Sequence, residues 1–217
     1  MPKILYEDPH LLLIEKPVGI PSQAADGDCV PQRLAQRGYL IKVVHRLDKP
    51  TGGVMAYART DKAAAKLSAL VGEHELFQKE YLAVVQGVPD KAEDIYTDLL
   101  YHDVRKNKSY VVDRARKGVR EAVLDYTVLE TVTTDEGTFT LVRVRLHTGR
   151  THQIRVQFAS RKMPLYGDSR YGGVKGANLG LWSHTLSLPH PITKQPISAQ
   201  SRPDTACMPW CLFQSIQ

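Results

Sequence analysis

Residues 45–53 read His-Arg-Leu-Asp-Lys-Pro-Thr-Gly-Gly and lead into the apolar run Gly53–Ala58, which is typical of a strand. Asp48 therefore stands on a turn, between the cations Arg46 and Lys49. Cations close to a carboxylate favour its ionised form, so an exposed Asp48 could attack an electrophile or abstract a proton. The same residues also fit an Asx turn that only caps a loop. From these residues alone both interpretations remain open.

A second polar segment, residues 149–156, reads Gly-Arg-Thr-His-Gln-Ile-Arg-Val. It places Arg150, His152 and Arg155 around the single apolar residue Ile154 before Val156. Such a segment could supply a partner for a buried carboxylate, or it could form a lattice of surface ion pairs.

The positive charge is concentrated in the second half of the chain. The 217 residues carry a net charge of +6, but residues 1–100 sum to −2 and residues 101–217 to +8. Residues 105–120 alone contribute +6, and they include Arg105, Lys106 and Lys108. A block of this kind attracts polyanions, nucleic acid first, although it could also be a solvated loop.

Composition excludes several classes of protein. Hydrophobic residues make up 42% and charged residues 24%, which is typical of globular chains and excludes disordered, collagen-like and coiled-coil proteins. No apolar run approaches the roughly 18 residues of a membrane span. The three cysteines indicate a reducing compartment, and we expect Cys207 and Cys211 to be covered apolar side chains. Phosphate-loop, dinucleotide and zinc motifs are absent, so we expect neither cofactor nor metal.

The apolar patterns predict a mixed α/β (α+β) fold with a largely antiparallel central sheet flanked by helices and loops. Strands are expected at 11–14, 53–58, 81–85, 179–188 and 195–201, with a hairpin formed by 122–132 and 139–146. Helices are expected weakly at 30–38 and, capped by Thr60 or Asp61, after residue 60. Residues 151–161 fit a strand and a helix equally well.

The two polar segments together resemble the paired signature of the RluA-type pseudouridine synthases. Further motifs agree in order and spacing over roughly residues 4–202: Lys-Pro-Val-Gly at 16–19, Lys-Glu-Tyr at 79–81, and Gly-Asp-Ser-Arg-Tyr-Gly at 167–172. The resemblance implies one pseudouridine-synthase catalytic domain over residues 1–217, with an active-site cleft across the sheet.

The activity that this resemblance implies is the isomerisation of specific uridines to pseudouridine in structured rRNA or tRNA stem-loops. Asp48 would be the nucleophile, Arg155 would pair with it, and Tyr81 would stack on the uracil. A uridine inside folded RNA has to be flipped out first, and Arg46 would fill the vacated place. The remaining RNA-binding candidates are His45, Arg105, Lys106, Lys108, Arg150 and His152. We expect a cytoplasmic monomer without membrane contact, obligatory protein partner, cofactor or metal.

The chain also departs from the family pattern. Gly52 replaces the usual Ser, which is expected to loosen the turn after Asp48, and Ser183-His184-Thr185 replaces Leu-His-Ala. The S4-like module of many relatives is expected to be absent, and residues 203–217 match nothing.

Two alternatives to a pseudouridine synthase are an RNA-binding protein without catalytic activity and a glycosidase. A non-catalytic RNA-binding relative is disfavoured because Asp48, Tyr81 and Arg155 are present together. A glycosidase would need a second acid beside Asp48, where the motif supplies Arg46 and Lys49 instead.

Overall fold

The computed structural model describes residues 1–24, 27–174 and 178–216, whose contacts divide the chain into two units. The first unit consists of Met1–Glu80 and Trp182–Pro203, and the second of Tyr81–Leu181 and Asp204–Gln217. Both contain more strand than helix, and most strand pairs are antiparallel. The predicted mixed α/β fold class is confirmed, whereas the assignment of residues 1–217 to a single domain stays a prediction.

In the first unit the strands follow the order β1-β2-β4-β10-β11, and β3 also pairs with β4. Their bounds are β1 Lys3–Glu7, β2 Leu11–Lys16, β3 Lys42–Val43, β4 Gly52–Ala58, β10 Leu181–Pro189 and β11 Pro196–Gln200. The helices are α1 Val30–Ala35 and α2 Asp61–Val71. Thr60 caps α2 as predicted, since its hydroxyl accepts a hydrogen bond from the N–H of Ala63 at 3.2 Å.

The core of the first unit lies between this sheet and α2. Alternate residues of β4 point to one face because side chains alternate along a strand, and Val54 and Ala56 pack there against Ala63 and Leu67 of α2. Every residue of β4 is buried. The turn that carries Asp48 therefore leads directly into a fully buried strand.

Two consecutive glycines let β10 approach the start of β4. The strands pair in parallel, with Trp182 opposite Gly52 and Ser183 opposite Gly53. A Cβ on Gly52 would lie 2.3 Å from Cζ3 of Trp182, and one on Gly53 would lie 2.1 Å from the carbonyl oxygen of Ser183. The expectation that Gly52 loosens the turn is therefore wrong, because the Trp182 ring fills the space of a side chain at position 52.

In the second unit the strands follow the order β5-β9-β8-β6-β7. Their bounds are β5 Gln78–Gln86, β6 Glu93–Asp103, β7 Lys108–Val112, β8 Val119–Thr134 and β9 Gly137–Leu146. β8 and β9 form the predicted hairpin. The unit also contains α3 Gln153–Ser160 and a 3-10 turn at Trp210–Leu212. The basic stretch 105–120 is not simply a loop, since β7 lies within it.

α3 resolves the ambiguity of residues 151–161 in favour of a helix. Its residues from Gln153 to Phe158 are all buried, and Phe158 packs against the rings of Tyr96 and Tyr126 at 5.3 and 5.5 Å. A helix that is covered on every side has no polar face, so its sequence lacks the usual helical period.

The expected burial of Cys207 and Cys211 is wrong, because both thiols are exposed. Trp210 and Phe213 are the buried side chains of this segment. They remove more apolar surface from water than two cysteines would, which explains why the thiols face outward.

None of the helices in the described residues is long and apolar enough to cross a membrane. Within the same residues, no group of three or more His, Cys, Asp or Glu side chains is arranged to hold a metal ion.

We predict that Gly52→Ser lowers the free energy of unfolding by about 1–3 kcal/mol, because the new side chain collides with Trp182. Urea denaturation measures the effect. The matched control is Gly72→Ser, because the nearest atom to a Cβ at position 72 lies 3.6 Å away. In a Trp182→Ala background Gly52→Ser should cost less than about 0.5 kcal/mol. An equal cost in both backgrounds would contradict this account.

Candidate functional site

The backbone on both sides of Asp48 is fixed by hydrogen bonds. The N–H of Thr51 donates to the carbonyl of Asp48 at 3.0 Å and closes the turn. The Ser22 hydroxyl donates to the carbonyl of Leu47 at 2.6 Å and accepts from the Leu47 N–H at 2.9 Å. Asp48 itself is half-buried, and Arg46 beside it is exposed.

Lys16 holds the Asp48 turn from inside the unit. Its ammonium donates to the carbonyls of Pro17, Ile20 and Lys49 at 2.9, 2.7 and 3.2 Å. The side chain is fully buried, so these three acceptors replace the water that an ammonium would otherwise bind. This arrangement gives the Lys-Pro-Val-Gly motif a physical role, since its lysine ties the following loop to the turn that carries Asp48.

Lys16 is also an electrostatic neighbour of Asp48. Burial lowers the pKa of Lys16 to about 8, and the charge of Asp48 opposes that shift. Lys16 is therefore still mainly protonated at neutral pH. The turn thus combines a half-buried carboxylate with an inner cation and two outer ones, Arg46 and Lys49.

His45 begins the motif but points into the first unit. Its Nε2 accepts a hydrogen bond from the N–H of Ala56 at 2.9 Å, and its ring packs edge-on against Phe77 at 5.3 Å. Burial, together with the charge of Lys79, lowers the pKa of His45 to about 3. The ring is therefore neutral and holds the start of the turn to β4. Its RNA contact stays a prediction.

In the second unit, Arg155 on α3 forks onto Asp168. Nε and Nη2 donate to the two carboxylate oxygens at 2.7 and 2.8 Å, and the residues are only 6% and 1% exposed. Paired charges of this kind are costly to separate once buried. The Arg155–Asp168 pair was not predicted, although each residue lies in one of the motifs of the sequence. The predicted pairing of Arg155 with Asp48, which belongs to the other unit, stays a prediction.

The Asp168 carboxylate is held by its own tight turn. The Asp168 carbonyl accepts from the N–H groups of Tyr171 and Gly173 at 3.1 and 2.7 Å, and its Oδ1 accepts from the N–H of Arg170 at 3.2 Å. A Cβ on Gly173 would lie 2.2 Å from the carbonyl oxygen of Leu165. Only glycine fits there, so the turn geometry depends on that residue.

Tyr171 connects this turn to its neighbours. Its hydroxyl accepts from the N–H of Ser109 at 2.8 Å and lies 3.0 Å from Nδ1 of His152. The hydroxyl therefore accepts one hydrogen bond from the backbone and shares a second with the His152 ring. His152 is buried in the left-handed conformation at φ 56° before α3. Its predicted RNA contact is untested.

The remaining predicted residues lie at different depths in the second unit. Tyr81 on β5 is buried at 6% exposure, whereas Arg105 and Lys106 are exposed in the turn between β6 and β7. The ammonium of Lys108 lies over the rings of Tyr110 and Tyr171, 5.7 and 5.2 Å from their centroids.

Arg150 is exposed, and its Nε donates to the carbonyl of Glu121 at 2.8 Å. The guanidinium is thereby oriented by the backbone of β8.

We predict that Lys16→Met flattens the pH dependence of stability. The pKa of Lys16 is about 8 in the folded chain and 10.5 as a free side chain. Between these values the unfolded state binds more protons, so the free energy of unfolding of the wild type rises with pH. The variant should lose up to about 1.4 kcal/mol per pH unit of that slope, measured by urea unfolding across the window.

The control for Lys16→Met is Lys62→Met at an exposed position of α2, which should keep the wild-type slope. Lys79, whose pKa burial also lowers to about 8, is retained in all three proteins and cancels in the comparison. A wild-type slope in Lys16→Met would show that the buried ammonium is not the source.

The sequence and the fold are both similar to those of known proteins. The sequence profile described as RNA pseudouridylate synthase matches residues 10–160. Ribosomal large subunit pseudouridine synthase D of Xanthomonas campestris is 34% identical over 91% of this chain and 65% of its own length. tRNA pseudouridine synthase C of Pasteurella multocida is 32% identical over 90% of this chain and 89% of its own length.

The fold comparison agrees with the sequence comparison. Human RNA Pseudouridylate Synthase Domain Containing 1 superposes with a TM-score of 0.80 at 21% identity, over 94% of this chain and 84% of that one. The chain spans between about half and two thirds of the length of several curated relatives, for example 53% of the Pseudomonas aeruginosa large-subunit enzyme D. From the profile match and these identities, the chain belongs to the RNA pseudouridylate synthase family.

Proposed function

We propose that the chain is an RNA pseudouridine synthase that isomerises specific uridines in structured rRNA or tRNA, with Asp48 as the nucleophile. The observation that carries this proposal is the Asp48 turn. The backbone on both sides of this family-motif carboxylate is fixed by hydrogen bonds, and the Lys16 ammonium holds the same turn through the carbonyl of Lys49. The relatives named for rRNA and for tRNA both support RNA as the substrate.

The proposed reaction is an isomerisation. The N1–C1′ bond of uridine breaks, the uracil rotates, and C5 bonds to C1′; the proton on C5 is lost to a base and N1 gains one. Nothing is oxidised and no group is imported, so no cofactor or metal is needed. Asp48 assists by nucleophilic attack, which requires its ionised form.

The other site residues have roles in binding and orientation. Tyr81 stacks on the uracil, and Arg155 orients Asp48 through charge-assisted hydrogen bonds. Arg46, which is exposed beside Asp48, fills the place that the flipped uridine leaves.

The RNA backbone lies on the basic residues of the second unit. Arg105, Lys106, Lys108 and Arg150 contact phosphates, and such contacts position the RNA without reading its sequence. His45 is half-buried and His152 is buried, and both support from below the protein surface that contacts the RNA. The chain works as a monomer in the cytoplasm, in keeping with its cysteine content and basic charge.

We predict that Asp48→Asn abolishes pseudouridine formation, because the amide keeps the shape of the side chain but cannot act as an anionic nucleophile. Total RNA from cells that lack this gene is incubated with each protein, and pseudouridines are mapped. Asp61→Asn, at an exposed position of α2, is the control and should match the wild type. Retained turnover in a clean Asp48→Asn preparation would overturn the assignment, as would a wild type that forms no pseudouridine.

We predict that Arg155→Lys lowers the rate by at least about tenfold and the free energy of unfolding by about 2 kcal/mol, because lysine cannot reproduce the fork on Asp168. Steady-state kinetics and urea unfolding measure the two effects. Arg33 provides the control, since its Nε and Nη2 fork onto Asp28 at the surface. Arg33→Lys should cost less than about 1 kcal/mol and leave the rate unchanged. Equal effects of the two substitutions would contradict a special role of Arg155.

A further inference from the structure

The basic turn between β6 and β7 consists of residues 103–108. Two side chains of the Asp168 turn, residues 168–173, form hydrogen bonds with it or with the residue directly after it. Nη1 of Arg170 donates to the carbonyls of Lys106 and Asn107 at 3.0 and 3.1 Å. The N–H of Ser109, directly after the basic turn, donates to the Tyr171 hydroxyl at 2.8 Å. Arg170 and Tyr171 therefore add outside contacts to a turn that is also closed by its own bond from the N–H of Lys106 to Oδ1 of Asp103 at 3.1 Å.

The same two residues are attached to the carboxylate that holds Arg155. The N–H of Arg170 donates to Oδ1 of Asp168, the oxygen that also accepts from Nη2 of Arg155. The N–H of Tyr171 donates to the Asp168 carbonyl at 3.1 Å. One short turn thus contacts the basic turn on one side and the Arg155 fork on the other.

The ring of Tyr171 adds a second connection. Lys108 lies 5.2 Å from its centroid and the guanidinium of Arg155 lies 5.3 Å from it. Cations at these distances are attracted to an aromatic ring, so the ring links a phosphate-binding lysine to the arginine of the family motif. The hydroxyl of the same residue contacts His152, which precedes α3. Tyr171 therefore contacts the basic turn, Arg155 on α3, and His152 directly before α3.

We propose that Tyr171 is a positioning residue, which couples the binding of RNA phosphates at the basic turn to the orientation of Arg155. This inference rests on the proposed function. A phosphate bound by Lys106 and Lys108 shifts the basic turn; Arg170 and Tyr171 pass this shift to the Asp168 carboxylate, and Asp168 passes it to the guanidinium of Arg155.

The test compares Tyr171→Phe with Tyr110→Phe. Both keep a ring beside Lys108, but only the first removes a hydroxyl that bonds Ser109 and His152. The Nε–H resonance of Arg155 is followed by NMR while single-stranded oligouridine is added, and fluorescence anisotropy gives the Kd. In the wild type and Tyr110→Phe, RNA should shift the resonance. In Tyr171→Phe the Kd should stay within about threefold, while the shift is lost.

A second readout is steady-state kinetics, measured on the RNA that the pseudouridine mapping identifies. Tyr171→Phe should lower kcat about tenfold with KM changed less than about threefold, and Tyr110→Phe should change neither. If Tyr171→Phe does not fold, Arg170→Met serves instead. Methionine at this exposed position cannot donate to the carbonyls of Lys106 and Asn107, and the backbone bond to Asp168 is kept. The RNA-induced shift should again be lost, and a shift that is kept would overturn the coupling.

The outcomes separate this inference from the proposed function. A wild-type protein that forms pseudouridine, together with a variant that keeps both kcat and the RNA-induced shift, overturns the coupling alone. A resonance that RNA does not move in the wild type also overturns the coupling. A wild-type protein that neither binds RNA nor forms pseudouridine overturns the proposed function and the inference with it.

Discussion

A buried cation has to be surrounded by fixed oxygen atoms, and this constraint shapes one candidate segment in each of the two units. The ammonium of Lys16 is satisfied by three backbone carbonyls, one of which belongs to the Asp48 turn. The guanidinium of Arg155 is satisfied by both oxygens of Asp168, a carboxylate that a glycine-dependent turn holds in place. In each case the cost of removing a charge from water is offset only if the acceptors do not move. The hydrogen bonds to these two cations therefore constrain the loops that provide the acceptors.

Close steric contacts further constrain the Asp48 turn. The Gly52–Trp182 and Gly53–Ser183 approaches bring β10 against the strand that follows the Asp48 turn. Gly52 departs from the family pattern without weakening the turn, since an indole ring occupies the space of the missing side chain. Close packing of this kind responds to changes of a single atom, so the turn and β10 constrain each other's sequence.

Short-range features of the sequence were sufficient to predict part of the structure. The apolar run before Ala58, the Thr60 cap and the β8–β9 hairpin are local patterns, and all are confirmed. The sequence motifs also identified Asp48 and Arg155 as candidate site residues. The Asp168 partner of Arg155 could not be predicted, because spacing along the chain does not say which charged groups meet in space. α3 lacked a period because it is covered on all sides, and β7 was missed because its lysine and serine interrupt the apolar alternation of a strand.

The central claim is that Asp48 performs a uridine isomerisation in RNA. The most direct measurement uses RNA that carries 5-fluorouridine at the mapped position, with the products analysed by mass spectrometry. We predict a rearranged nucleotide or an adduct joined to the protein at Asp48, and neither product with Asp48→Asn. Release of the free base would identify a glycosidase, and recovery of bound but unchanged RNA would identify a binding protein. Either result would contradict the account.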